Sequence, residues 1–176
     1  NLFDLVSVTG GFGVEKKSGQ SAVLSDNSTV TANLLTIGLA NVSAFVGYSG
    51  IGLNLSEVDL AIALWSEVGG ALRKWTSVMA SVGSAAFVGV SGLTMELTSA
   101  GIVINRKAAD GTVVDYEKDE EEASATELTV SVGPGETVSF AIDDSNGEYA
   151  QVVGNATINL FDLVSVTGGF GVEKKS

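Results

Sequence analysis

The sequence begins with NLFDLVSVTGGFGVEKKS at residues 1–18 and ends with the same stretch at 159–176, without a substitution. The offset between the copies is 159 − 1 = 158 residues. Self-similarity at a fixed period is the sequence signature of repeat architectures. We therefore interpret 1–158 as one full repeat unit and 159–176 as the start of the next identical unit. A deliberate duplication of one segment is the alternative.

A shorter repeat lies inside the unit. Residues 44–64 read AFVGYSGIGLNLSEVDLAIAL, and residues 86–106 read AFVGVSGLTMELTSAGIVINR. A weaker third copy spans 153–176. Each copy is an apolar strand, a Val-Gly corner where glycine can take a positive φ, and an alternating strand. The shared register predicts that equivalent side chains stack, with Phe45 on Phe87.

The same register predicts two further stacked pairs, Val46 with Val88 and Leu55 with Leu97.

Composition and pattern predict an all-β fold. Hydrophobic residues make up 45% of the chain but aromatics only 7%, and there are 22 glycines and one proline. Such a composition is typical of β-strands joined by tight corners. Because the chain returns to a similar corner, we expect a β-solenoid-like unit of about three coils, which would place the two copies about 15 Å apart. β-Sandwich beads on a string are the alternative, and the separation of Phe3 and Phe161 distinguishes the two.

Three local predictions accompany the fold. Gly10-Gly11 is expected to form a corner or bulge, with a polar turn at 15–19. Residues 57–82 fit both a helical stripe and strands, and the repeat alignment favours strands at 58–65 and 74–82. Gly133-Pro134-Gly135 is expected to join two strands, 127–132 and 136–142.

Charge and composition exclude several classes of function. The chain carries 9 basic and 21 acidic residues, no histidine and a net charge of −12. Nucleic acid is an unexpected partner, because phosphate binding needs a basic face. There is no cysteine, and no apolar run has the length of a membrane span. Without histidine or cysteine, the commonest general base and the thiol nucleophile are missing, so we expect no enzyme.

One loop offers a candidate metal site. Asp143, Asp144, Asn146 and Glu148 cluster near the end of the unit, and hard oxygen ligands suit Ca²⁺. The spacing does not fit an EF-hand loop, so an ordinary polar hairpin turn is the other interpretation. The acidic run at 117–122 is expected to be a solvated loop.

The chain resembles the long tandem β-strand repeats of giant bacterial surface proteins. The stretches that carry the resemblance are NLFDLVSVTGGFGVEKKS, AFVGVSGLTMELTSAGIVINR and DGTVVDY. The resemblance implies an extracellular or cell-surface location and a structural role in a filament or stalk, with neighbouring copies as end-to-end partners. The alternative is an adhesin repeat whose acidic loops bind Ca²⁺ and attach to a surface or glycan.

Overall fold

A computed structural model describes residues 5–117, 125–142, 145 and 147–175. These ranges contain β-strands and no α-helix, so the all-β prediction is confirmed. The strands are β1 (Val6–Val23), β2 (Thr29–Tyr48), β3 (Ile51–Glu67), β4 (Lys74–Val88), β5 (Leu93–Arg106), β6 (Thr129–Gly133), β7 (Glu136–Ser139), β8 (Tyr149–Leu160) and β9 (Val164–Lys175).

Seven strands form one antiparallel sheet in the order β1-β2-β3-β4-β5-β8-β9, while β6 and β7 pair as a separate hairpin. Each strand of the sheet neighbours the next one along the chain, so the sheet is a meander. Residues 6–17 of the first copy lie in β1 and residues 164–175 of the second in β9, six strand steps apart. At about 4.8 Å per step, the separation along the sheet is about 29 Å rather than the expected 15 Å. Phe3 lies outside the described residues.

The first copy does not turn where the sequence predicted. β1 runs without a break from Val6 to Val23, through both the Gly10-Gly11 corner and the polar turn at 15–19. The strand survives because β2 pairs with it on both sides of a bulge, where Thr9 faces Ser43 and Gly11 faces Ala40. Of the predicted corner or bulge, the bulge is therefore found, and a second register shift, between Lys17 and Gln20, lies at the predicted polar turn without reversing the chain.

The ambiguous segment at 57–82 forms strands, as favoured. β3 and β4 are antiparallel neighbours whose pairing begins with Ser66 opposite Lys74 and continues with Trp65 opposite Trp75. The hairpin predicted around Gly133-Pro134-Gly135 is also found, as β6 and β7.

The predicted Phe45–Phe87 stack is wrong. Phe45 pairs with Asn54 of β3, whereas Phe87 pairs with the next residue, Leu53. Since directly paired side chains share a face of the sheet, the two rings point to opposite faces. The 42-residue repeat relates β2 to β4, two strands apart, and not two adjacent coils.

The other two predicted pairs have different outcomes. Leu55 and Leu97 lie in one cross-strand row, but Ala85 separates them. Val46 and Val88 lie in different rows, because Val88 pairs with Gly52 and Val46 with Leu53.

The core lies between one face of the sheet and the segment that leaves it after β5. On this covered face, Gly13, Gly38 and Ala61 form one cross-strand row. The β6–β7 hairpin packs on β1, β2 and β3 there. The buried cluster combines small residues of the sheet with larger side chains from both layers: Ala32, Leu34, Ala40, Ala61, Ala63, Trp65, Trp75, Val114, Tyr116, Val130, Val132, Phe140 and Ile142.

The opposite face of the sheet is apolar on nearly every strand. One row crosses all seven strands through Val6, Val46, Leu53, Phe87, Met95, Ile158 and Val166. A second row runs through Phe12, Leu39, Leu60, Ala80, Ile102, Val152 and Val172. No member of either row is buried. We call this surface the apolar face.

Candidate assembly interface

The β6–β7 hairpin packs closely against three glycines of the sheet, Gly11, Gly13 and Gly38, which we call the glycine floor. A Cβ atom added to Gly13 would lie 2.6 Å from the carbonyl oxygen of Ser131, and one added to Gly11 would lie 3.1 Å from the Cα of Gly133. A Cβ on Gly38 would also collide with the Ser131 carbonyl. The hairpin can therefore reach β1 and β2 only because these positions lack a side chain.

The second sequence copy has the same glycines, but they are uncovered. Gly169 and Gly171 are the equivalents of Gly11 and Gly13. A Cβ on Gly169 would come no closer than 3.3 Å to its nearest neighbour, the side chain of Asn155, and one on Gly171 would be 3.6 Å from Val153. Every residue of β9 is exposed. One sequence thus occurs twice, once beneath a hairpin and once bare.

The two copies lie at opposite edges of the same sheet. Within the described ranges, β1 pairs only with β2 along the sheet and β9 only with β8. Because neighbouring strands are antiparallel and six steps separate them, β1 and β9 run in the same direction. β9 therefore offers a free row of backbone hydrogen-bonding groups that can pair with another strand.

The orientation of β9 also matches that of β1. Starting at Gly13, the cross-strand row ends at Glu173, the equivalent of Glu15. Gly13 and Glu15 are two residues apart and share a face. The glycines of β9 consequently lie on the covered face, where a hairpin would have to sit.

The ion pairs of the two copies repeat as well. Lys17 Nζ lies 3.0 Å from Glu15, and Lys175 Nζ lies 3.1 Å from Glu173. The hydrogen bond from Lys175 is the main cause that lowers the pKa of Glu173. The same ion pair within the strand therefore forms in both copies, although only one copy lies beneath a hairpin.

The predicted metal site is only partly within the described residues. Asp143, Asp144 and Asn146 lie outside them. The carboxylate of Glu148 lies 3.7 Å from Arg106 Nε and 3.4 Å from Lys107 Nζ, so two cationic side chains already face it. No group of three or more histidine, cysteine or carboxylate side chains close enough to hold a metal occurs in the part of the chain that the structure describes.

The glycine floor was not predicted from the sequence as a contact surface. Its signal was present, because alternating glycines in a strand, Gly11-x-Gly13, mark close approach of another backbone. What the sequence did not specify was the approaching segment, which follows Gly13 by more than a hundred residues.

Comparison of the chain with protein-family models, curated proteins and solved structures gives no match. Among the described residues there is no helix of the length and apolarity needed to cross a bilayer.

Proposed function

We propose that this chain is a non-catalytic structural unit of an extracellular filament or stalk at a cell surface, and that its units join end to end. The resemblance to surface-protein repeats motivates the location. The supporting observation for the role is that the identical stretches 6–17 of β1 and 164–175 of β9 lie at opposite edges of one sheet with the same direction and facing.

The same geometry favours one continuous sheet over separate sandwich beads, although the six strand steps between the copies exceed the spacing of about 15 Å expected for a three-coil solenoid. An edge that repeats the opposite edge can be followed by a second unit in the same orientation. Translation of this kind gives an open, non-closing assembly, which is a filament. Each period would add six strands and about 29 Å along the sheet.

Chains of one, two and three periods test this proposal. Their lengths, measured by electron microscopy and small-angle scattering, should increase by a constant step at constant cross-section. A globule whose dimensions grow in all directions, or flexible beads with variable spacing, would contradict it.

The location needs a separate test. Antibodies raised against the purified chain should label intact cells of the source organism as strongly as permeabilised cells. Labelling only after permeabilisation would rule out the cell-surface location and leave the structural role open.

Calcium distinguishes the adhesin alternative. A specific Ca²⁺ site would raise the melting temperature by mass action, whereas the structural proposal needs no such rise. Mg²⁺ at equal ionic strength is the control.

A further inference from the structure

We propose that β9 of one copy of this chain takes the place of β1 in a second copy, pairs with the β2 of that copy and lies beneath its β6–β7 hairpin. This inference rests on the proposed end-to-end function and specifies its joint. The partner is a second copy of the same chain, or the following unit in a tandem array.

Sequence identity gives β9 the side-chain contacts that residues 6–17 of β1 make. Residues 164–175 repeat 6–17. The β1–β2 register would therefore place Val164 opposite Val46 and Gly171 opposite Gly38 of the second copy. Any other strand would need its own complement to the β2 side chains.

The glycine floor makes the fit specific. Beneath a hairpin, the backbone at Ser131–Gly133 leaves no room for a side chain at the position of Gly13 and only a tight fit for a Cβ at the position of Gly11. β9 offers glycine at both positions, Gly169 and Gly171. The uncovered glycines are thus a docking surface for the hairpin of the second copy.

The exchange is close to neutral in local contacts, because residues 164–175 replace the identical residues 6–17. Association between separate chains should therefore be weak and dependent on concentration. In a tandem array no strand has to be displaced, because 159–176 would be the first strand of the following unit.

A disulfide trap detects the joint. Gly47 N donates a hydrogen bond to Leu5 O at 2.9 Å, so Val6 and Val46 form a non-hydrogen-bonded pair, whose Cα atoms are typically about 4.5 Å apart. That separation suits a disulfide. The chain has no cysteine of its own. Val46→Cys/Val164→Cys should give chains linked between positions 46 and 164, identified by peptide mapping after mild oxidation.

Two controls define the trap. Val6→Cys/Val46→Cys should close within one chain, which shows that the pair geometry permits a disulfide. It should also lock β1 in place and prevent association. Val164→Cys alone measures linkage by random collision.

A matched pair of glycine substitutions then tests the hairpin. Gly13→Val, added to the Val46→Cys/Val164→Cys chain, should displace the chain's own β1 from beneath the hairpin. The linked fraction should then rise about fivefold or more, because even a modest loss of stability changes an equilibrium by such a factor. Gly171→Val should reduce linkage to the level of Val164→Cys alone. Should Gly13→Val fail to fold, Gly171→Val is judged against Thr167→Val, a substitution on the same strand that should leave linkage unchanged.

The inference is overturned if the 46–164 linkage does not form while Val6→Cys/Val46→Cys closes, or if Gly171→Val leaves linkage unaffected. Rods of constant step in the multi-period chains would then show that the filament survives with another joint. Absence of rods together with the 46–164 linkage would reject the filament and retain the strand exchange.

Discussion

At the scale of single residues, a buried chain of hydrogen bonds ties the sheet to its cover. The Tyr116 hydroxyl accepts a bond from Trp65 Nε1 at 2.8 Å and donates to Ser77 Oγ at 2.8 Å. Ser77 donates to Asn105, whose amide donates to the carbonyl oxygen of Val114. Burial raises the pKa of the Tyr116 hydroxyl far above its usual range, so it remains a neutral donor.

Removing that hydroxyl should destabilise the fold. Tyr116→Phe leaves the Trp65 N–H without its partner in a buried site, which typically costs about 1–3 kcal/mol. Urea unfolding should show the midpoint move to lower concentration with an unchanged slope. Tyr48→Phe is the control, because Tyr48 is 75% exposed. Equal effects of both changes would mean that the network contributes nothing.

A second residue-scale contact predicts a dependence on pH. Arg73 donates to both carboxylate oxygens of Glu67, at 3.1 and 2.9 Å, and to Asp110 at 2.7 Å. The hydrogen bond from Arg73 holds the pKa of Glu67 below its usual value of 4.5. A lowered folded pKa stabilises the protein fully above the unfolded pKa, and this contribution is lost as the pH falls through the folded value.

Glu67→Gln should therefore lower the melting temperature at pH 7, and the difference from the parent chain should shrink below pH 4.5. Glu15→Gln, in the exposed pair with Lys17, should change the melting temperature little. Thermal unfolding between pH 7 and pH 3 measures both. A difference that stays constant across this range would exclude the ion pair as its cause.

At the scale of the strand, three left-handed residues keep the apolar face continuous. Asn41, Glu57 and Ser99 have φ values of 47°, 52° and 50° within β2, β3 and β5. On either side of them, the residues on the apolar face change from odd to even numbers or back. In β5, for example, Met95 and Leu97 precede Ser99, and Ile102 and Ile104 follow it. The extra residue flips the alternation, as a bulge does.

The positive φ of Ser99 predicts that glycine is more stable than valine at this position, the reverse of the usual order in a strand. A β-branched residue is strained at positive φ, so Ser99→Val should be less stable than Ser99→Gly by about 1–2 kcal/mol. Thr94 is an exposed residue of the same strand, β5, and pairs regularly with Asn159 of β8. There, Thr94→Val should instead be more stable than Thr94→Gly. Denaturant unfolding of the four variants measures both differences. The same sign at both sites would refute the role of the bulge.

At the scale of the whole molecule, charge opposes the association that strand identity favours. Each chain carries −12, so approaching copies repel one another. Raising the ionic strength from 0.01 to 0.15 M shortens the screening length from about 30 to about 8 Å. Sedimentation velocity should therefore show more association of the parent chain at the higher salt concentration.

The Val6→Cys/Val46→Cys chain, once oxidised, provides the control for this salt effect. Its first strand cannot be displaced, so it should remain monomeric at both salt concentrations. If the locked chain associates as readily as the parent, the copies join through the apolar face or another surface instead of through β9.

Local sequence patterns were enough to predict the all-β class and to reveal the repeated segments. The identity of 1–18 and 159–176, the alternation within 44–64 and 86–106, and the turn at Gly133-Pro134-Gly135 are local patterns, and local patterns report strands and turns. They predicted the all-β class, and the repeat alignment favoured the strands at 57–82 over a helix.

The order of the strands and the faces that they bury depend on contacts between distant parts of the chain. The polar stretch at 15–19 remains in a strand because β2 pairs with residues 15–17 and again from Gln20 onward. Phe45 and Phe87 point to opposite faces because β3 lies between their strands in that register. The physical reason is that sheet pairing and glycine-mediated approach join residues distant along the chain, as Gly13 and Ser131 are. The glycines of the identical stretches 6–17 and 164–175 therefore lie beneath a hairpin at one edge and are bare at the other, because the neighbours alone differ.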